Sequence, residues 1–455
     1  MIIFRSVNSK NKIIFAAATP VGESSITVIR ISGEGVLPIL NKIFSKSQDS
    51  FIPIDFSLVA SHTLLHGYLF DGKEVIDEVV VGIFKSPSSY TGEDVAEISS
   101  HGGYYNFKKI NRLLLNCGCI YAEPGEFTKR AFLNGKIDLI QAEAISDLIR
   151  AKTELASKAA MHQLSGEFSH AVNNLRSDLI NYCSLVELEL DFSEEGLEVI
   201  SKDVLLNKLN IIIEQIIKLT RSYESGKIVK EGVNLTITGN PNVGKSTIFN
   251  YLLKQYRAIV TDIPGTTRDY LEEPLIMGGL VFNLVDTAGI RETRNQIERE
   301  GVERSFMKIG EADLVLNVID STDPVTFHNG FAQRSITVYN KMDIAEKLPE
   351  NELCVSALTG QNMEELQQRI IQEANSLIRK EDVSELYVTN ERHRDCLLKS
   401  CEYLVNSKKL VEEGAGNELI SFEIREALNS LEEIIGKTSN VDILNNIFSK
   451  FCIGK

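Results

Sequence analysis

No apolar run in the 455-residue sequence approaches the ~18–20 residues needed to span a bilayer. The opening stretch MIIFRSVNSKNKIIFAAATP is broken by Arg5, Lys10 and Lys12 into two short apolar pieces, which read as a buried strand and not as a signal peptide. Cysteine is sparse and odd in number, seven in all, with no CxxC pair; Cys117-Gly-Cys119 has a one-residue gap, poor for zinc. Reduced thiols in a cytoplasmic protein are therefore expected. Basic side chains are outnumbered 48 to 63, a net charge of −15, which excludes nucleic-acid binding through a generally basic surface and leaves a local patch, a partner or a pocket. There is no internal repeat and no low-complexity tract. Hydrophobic residues at 43% suffice for real cores, and the length suggests about three domains.

The first 130 residues read as mixed α/β. Ile26–Ile31 alternates and is β-branched, Glu78–Phe84 is a second strand, and a third lies between Gly92 and Ser99, ahead of His101-Gly102-Gly103. Phe107–Asn116 is a short helix candidate. Leu164, Phe168, Val172, Leu175, Leu179, Tyr182, Val186 and Leu190 fall three or four apart, one face of a long helix. Val204–Leu219 is helical too, and Lys227–Gly232 reads as a polar link. From about 380 the pattern is helical again, with a stripe through Ile420, Ile424, Ala427, Leu428, Leu431 and Ile434 that stops at Gly436, and Ser439 as the cap of a last helix. Between these helical regions, 229–379 alternates buried-strand runs with helices, so an α/β domain inserted into an all-helical one is the simplest arrangement. The boundaries are 1–130, 131–228, 229–379 and 380–455.

Gly239-Asn-Pro-Asn242-Val243-Gly244-Lys245-Ser246 matches GxxxxGK[ST], follows a strand and opens a helix at Thr247. Such a loop turns backbone N–H groups and a helix N-terminus toward phosphates; Lys245 suits the β- and γ-phosphates and Ser246 suits Mg²⁺. Asp286-Thr287-Ala288-Gly289 follows another strand, suited to Mg²⁺ and the γ-phosphate. Asn340-Lys341-Met342-Asp343 ends a third; the Asp343 carboxylate can accept from guanine N1–H and the 2-amino group, donors that adenine does not offer. Ser356-Ala357-Leu358 suits a backbone N–H to guanine O6. Four motifs in this order make a guanine-specific P-loop GTPase. Ras-like proteins place a Gln after the DxxG motif to position water; here that residue is Ile290. The sequence offers instead Asn242 and a first switch of Thr261, Asp262, Ile263, Pro264, Gly265, Thr266 and Thr267, with Thr267 placed to reach Mg²⁺ and the γ-phosphate. Glu292, Glu298 and Glu300 lie in a charged second switch that composition alone reads as a solvated helix face.

The combination resembles the tRNA-modifying GTPase family MnmE, also called TrmE, from near the N-terminus to the last residue. The resemblance is carried by Ala18-Thr-Pro with Arg30-Ile-Ser-Gly33, Tyr90-Thr-Gly-Glu-Asp-Val95, His101-Gly-Gly103, Glu123-Pro-Gly-Glu-Phe127, Arg130-Ala-Phe-Leu-Asn134, Gln141-Ala-Glu-Ala144, the GTPase motifs and the terminal Phe451-Cys-Ile-Gly-Lys455. It implies a multidomain α/β protein: an N-terminal α+β domain like tetrahydrofolate-binding domains, a discontinuous all-α domain, and an inserted Ras-like GTPase domain. It implies a cytoplasmic homodimer that joins the FAD protein MnmG (GidA) in a heterotetramer and uses reduced folate carbon to modify C5 of the wobble uridine of certain tRNAs. Matched residue by residue, the folate contacts fall on Arg30, Glu97, Lys136 and Lys455, although Glu97 and Lys136 alone read as plain surface. Cys452 falls near that site. The resemblance also selects Glu298 as the residue that orients water, and a potassium ion held by Asn242 with Thr261, Ile263 and Thr266. Two rival functions are a ribosome-assembly GTPase and a purely regulatory switch. The first fits poorly with a single P-loop and a 380–455 segment of 14 acidic and 10 basic side chains.

Overall fold

The computed structural model describes residues 12–193, 201–256, 272–286, 310, 312–323, 334–378, 387–438 and 440–455. The chain divides into two compact units, Met1–Ser146 with Leu428–Lys455, and Asp147–Ala427.

The first unit is built on seven strands: β1 (Ile14–Ala17), β2 (Ile26–Ser32), β3 (Phe44–Ser45), β4 (Thr63–Asp71), β5 (Glu74–Phe84), β6 (Val95–His101) and β7 (Ile120–Tyr121), in the order β3-β4-β5-β6-β2-β1-β7. Neighbours are antiparallel except β1 and β7. Helices α1 (Val36–Ile43) and α2 (Tyr104–Asn116) share a core with the sheet, which collects Ile29 and Ile31 from β2, Val81 and Ile83 from β5, and Ala96 and Ile98 from β6. Because side chains alternate along a strand, this burial turns Arg30 and Glu97 to the opposite face, and the β2–β6 register sets them directly across from each other. Helix α3 (Glu126–Leu133) follows, then α4 (Leu139–Arg150), which begins in this unit. The last helix, α12 (Val441–Ser449), returns to the same unit, where Leu444, Phe448 and Phe451 pack with Leu139 and Ala142. Its N-cap is Asn440, whose side chain accepts from the Asp442 N–H, one residue beyond the expected Ser439; Ser439 lies outside the described residues.

The second unit carries α5 (Glu154–Leu164), α6 (Glu167–Ser193) and α7 (Lys202–Glu231), and later α10 (Glu391–Glu413) and the first part of α11 (Asn417–Ile435). Phe168, Val172, Leu175, Leu179, Tyr182 and Val186 form the buried stripe of α6, while Leu164 ends the preceding helix. Between these helical stretches lie β8 (Val233–Gly239), α8 (Lys245–Tyr256), β9 (Glu272–Met277), β10 (Leu280–Asp286), β11 (Leu314–Asp320), β12 (Ser335–Asn340) and α9 (Met363–Leu377). The sheet order is β12-β11-β8-β10-β9, parallel except for the antiparallel edge strand β9. This is a doubly wound P-loop GTPase fold, whose ligand crevice lies at the carboxyl ends of the strands.

Lys227–Gly232 is not a link. It is the end of α7: Ile228 and Val229 are buried, and only the charged side chains face outward. Gly232, at φ +92°, closes the helix and turns straight into β8; a Cβ there would sit 2.6 Å from the Val281 carbonyl oxygen. The returning chain is held by α7, with the Val388 N–H donating to Ser222 Oγ (3.1 Å), and by α5, with Gln163 Nε2 donating to Thr389 Oγ1 (2.8 Å). Among the described residues, no helix is long and apolar enough to cross a membrane.

Candidate functional site

In the second unit the central strand β8 runs into the loop Asn240–Gly244 and then α8. Asn242 stands at φ +65°, a left-handed conformation that Asn tolerates, and its side chain is exposed. Lys245 is only 8% exposed; its Nζ donates to the carbonyls of Gly239 (3.0 Å) and Asn240 (2.8 Å), spanning the loop that it leaves. Val243 is buried, while Ser246 and Thr247 are exposed on the first turn of α8, where helix N–H groups and the dipole favour an anion.

Asn340 braces this loop from the side of Ser356-Ala357. Buried at the end of β12, it donates from Nδ2 to the Val243 carbonyl (2.9 Å) and accepts at Oδ1 from the Ala357 N–H (3.0 Å). The phosphate loop and the Ser356-Ala357 loop thus hang on one amide. Gly244, at φ +95°, leaves room for it: a Cβ would lie 2.1 Å from Asn340 Nδ2. Gly244→Ala combines left-handed strain with a lost buried hydrogen bond, so it is expected to destabilise this domain by about 2–4 kcal/mol and to weaken GTP binding with it. Denaturant unfolding and nucleotide titration check this; wild-type values in both would remove Asn340 as the brace.

Lys341, at φ +67°, turns the chain so that its Nζ reaches Asp320 Oδ2 (2.6 Å). Burial works against the Asp320 charge, but hydrogen bonds from Lys341 and Thr322 outweigh it and hold the carboxyl below its ordinary range. Asp343, two residues on, is exposed. Residues 353–355 run beside β12, with the Tyr339 N–H on the Leu353 carbonyl (2.8 Å) and the Val355 N–H on the Tyr339 carbonyl (2.7 Å), which delivers Ser356 and Ala357 to the crevice. Asp286 ends β10 opposite Ile237 of β8. The first-switch residues Thr261, Asp262, Ile263, Pro264, Gly265, Thr266 and Thr267, the motif residues Thr287, Ala288 and Gly289, and Ile290, Glu292, Glu298 and Glu300 lie outside the described residues.

The first unit holds a cavity of about 410 Å³, walled by His62, Phe84, Tyr90, Val95, Glu97 and Lys136. Arg30 fixes the carboxylate wall: its Nε and Nη2 lie 2.9 and 2.8 Å from Glu97 Oε1. The guanidinium sits over the rings of Tyr90 (4.9 Å) and Phe127 (5.7 Å), and Nη1 donates to the Gly454 carbonyl (3.3 Å). Burial pushes the Tyr90 phenol up, against its hydrogen bond with Thr128 and the nearby Arg30 charge. Lys136 Nζ donates to the Pro87 carbonyl (3.0 Å) at the rim. The tail is seated by Gly454 at φ +94°, where a Cβ would lie 2.1 Å from the Ala17 carbonyl oxygen. This leaves Cys452 exposed and Lys455 half-buried. Arg30, Glu97 and the tail are thus joined, and Lys136 shares the cavity with Glu97.

The remaining sequence motifs serve this geometry. Buried Arg130 reaches Glu93 (3.0 Å), Glu126 (2.8 Å) and the Lys12 carbonyl (3.0 Å), and the Ser32 hydroxyl reaches Glu93 and Thr91 (2.8 Å each). One polar and ionic knot therefore ties Arg30–Gly33, Tyr90–Val95, Glu123–Phe127 and Arg130–Asn134 together. His101 at the end of β6 and Asn106 in the first turn of α2 both bind Asp77 of β5, and a Cβ at Gly102 would lie 1.8 Å from the Ser24 carbonyl oxygen. Burial pushes the Cys119 thiol up to about 12. Nothing in the sequence marks His62 and Phe84 as cavity residues; His62 precedes β4 on a turn, where no periodicity singles it out.

The family model described as the MnmE helical domain matches residues 139–452, and that of the GTP-binding protein TrmE N-terminus matches residues 13–136. The chain is 42% identical to the tRNA modification GTPase MnmE of Chlorobaculum tepidum, over 97% of each chain. It is 43% identical to the protein of that name from Aquifex aeolicus, over 97% of this chain and 99% of that one. Among solved structures, the G domain of the T. maritima FeoB iron transporter is 27% identical, covering 31% of this chain and 98% of that one, with a TM-score of 0.25.

Proposed function

The chain belongs to the MnmE (TrmE) family of tRNA modification GTPases, and from that premise we propose that it couples GTP hydrolysis to the use of a folate-borne carbon. The acceptor would be C5 of the wobble uridine (position 34) of certain tRNAs, and the group added aminomethyl or carboxymethylaminomethyl. The chain would act as a homodimer with an FAD-containing partner of the MnmG (GidA) kind. The observation that carries the reading is a cavity in the first unit, lined by residues outside the nucleotide motifs, whose walls would suit a ring with a guanidine-like edge. The Glu97 carboxylate is held in place by Arg30 and can accept paired N–H bonds, Phe84 and Tyr90 supply apolar walls, and Lys136 suits a ligand carboxylate. A regulatory switch has no use for that cavity.

The GTP site fits its groups on the same terms. The cradle at Gly244 admits no Cβ, Lys245 lies across the phosphate loop, and exposed Ser246 stands on the first turn of α8. Ser246 and Thr267 would hold Mg²⁺, which supplies charge neutralisation at the phosphates. Asn242, Thr261, Ile263 and Thr266 would hold K⁺, and Glu298 would orient the attacking water. Cys452 and Lys455 would sit at the edge of the folate cavity on the seated tail.

Calorimetry with 5-formyltetrahydrofolate tests the cavity. The full-length chain is expected to bind it, and Glu97→Ala to weaken binding roughly 10- to 100-fold, the range for a lost charge-assisted hydrogen bond. No binding by the full-length chain, or equal binding by the variant, overturns this reading.

A further inference from the structure

We propose that His62 contacts the edge of the bound ring opposite the edge that Glu97 accepts from, and so reads the substituent carried there. The inference rests on the folate reading of the cavity and names a specificity residue within it. His62, Phe84, Val95 and Glu97 all wall the same cavity. The registers explain why. Glu97 pairs with Gly82 and Val95 with Phe84, while Thr63 pairs with Ile83, so His62 falls level with Phe84 and on the face that Glu97 shares. His62 and Glu97 are two strand spacings apart and offset by two residues along the strands, roughly 12 Å between their backbones, with Phe84 on the strand between them. A fused two-ring system can lie across that floor with its guanidine-like edge at Glu97. Its reduced ring, bearing N5 and any one-carbon substituent, then meets His62.

The imidazole is held for such a role. Its backbone N–H donates to the Ile83 carbonyl (2.7 Å), and φ is +62°. Nδ1 is occupied by Ser61 Oγ (2.9 Å), which itself accepts from the Lys85 N–H (2.9 Å). The ring stands edge-on to Phe84 at 5.4 Å and 89°. With Nδ1 committed to Ser61, Nε2 is the nitrogen left to meet a ligand oxygen.

The test compares 5-formyltetrahydrofolate with unsubstituted tetrahydrofolate, by calorimetry on the full-length chain. His62→Asn is the informative variant, because Asn tolerates the left-handed backbone and puts an amide near the place of Nδ1 while deleting Nε2. It is expected to weaken the formyl compound roughly three- to tenfold, as one neutral hydrogen bond allows, and to leave tetrahydrofolate within about twofold. His62→Gln, whose amide falls near Nε2, is expected to recover most of the loss. Glu97→Ala weakens both ligands alike. Equal losses for the two ligands in His62→Asn, or no loss for either, overturn the assignment. Failure of the wild type to bind either ligand removes the folate reading itself, and this proposal with it.

Discussion

GTP turnover is expected to be at least about 100-fold faster in potassium than in sodium at equal ionic strength, and Asn242→Ala is expected to erase the difference. Ile290 stands where Ras-like proteins carry the water-positioning Gln, and its side chain has no polar atom to do that work. The missing stabilisation must come from elsewhere. Asn242 offers an exposed amide on a loop whose shape is set by Lys245 on one side and Asn340 on the other. A cation held by that amide and by first-switch carbonyls would face the charge that develops between the β- and γ-phosphates. Removing a single preorganised donor from such a position costs other enzymes about 10²–10³ in rate, which sets the expected size. Sodium is too small to fill the same shell, and caesium too large. Glu298→Ala should slow hydrolysis while leaving nucleotide affinity unchanged, because it acts on water and not on the ground-state complex. Equal rates in the two salts would end this mechanism whatever the variants showed.

The parts of the molecule that sequence made legible are those whose chemistry is local. Four nucleotide motifs could be read in order because each lies at a strand end and needs a short run of particular residues, and the structure puts three of them at the ends of β8, β10 and β12. The buried stripe of α6 was visible because its period is that of a helix. What escaped was set by partners far away in the chain. Arg30 and Glu97 meet across a pairing 67 residues apart, and nothing in either strand announces the register. Strand β9 starts with two acids and contains Pro274, a composition that argues against a strand until it is seen at the sheet edge, where a missing N–H is tolerated. Lys227–Gly232 read as a link because Lys227, Lys230 and Glu231 dominate its composition. In the helix these form the outward face, and Lys230 pairs with Asp147 (2.8 Å) while Ile228 and Val229 go inward.

Asp343→Asn is expected to weaken GTP binding by roughly 10²–10⁴-fold and to improve binding of xanthosine triphosphate. A carboxylate facing guanine accepts from N1–H and from the 2-amino group, and each hydrogen bond to a charged group contributes about 1.5–3 kcal/mol. The amide keeps an acceptor for N1–H but turns an N–H toward the 2-amino group, so one bond weakens and the other becomes a clash of donors. Xanthine carries a 2-oxo group in that place, which the amide can satisfy. The substitution should leave the surrounding site standing. Asp343 is exposed, and the loop that carries it is held by other groups: Lys341 by Asp320, and Asn340 by the Val243 carbonyl and the Ala357 N–H. Unfolding of the variant should therefore match the wild type, which separates a change in base reading from a collapse of the pocket. Competition of both nucleotides against a fluorescent guanine nucleotide measures the exchange. A variant that keeps wild-type GTP affinity and still rejects the xanthine nucleotide would show that Asp343 does not read the base.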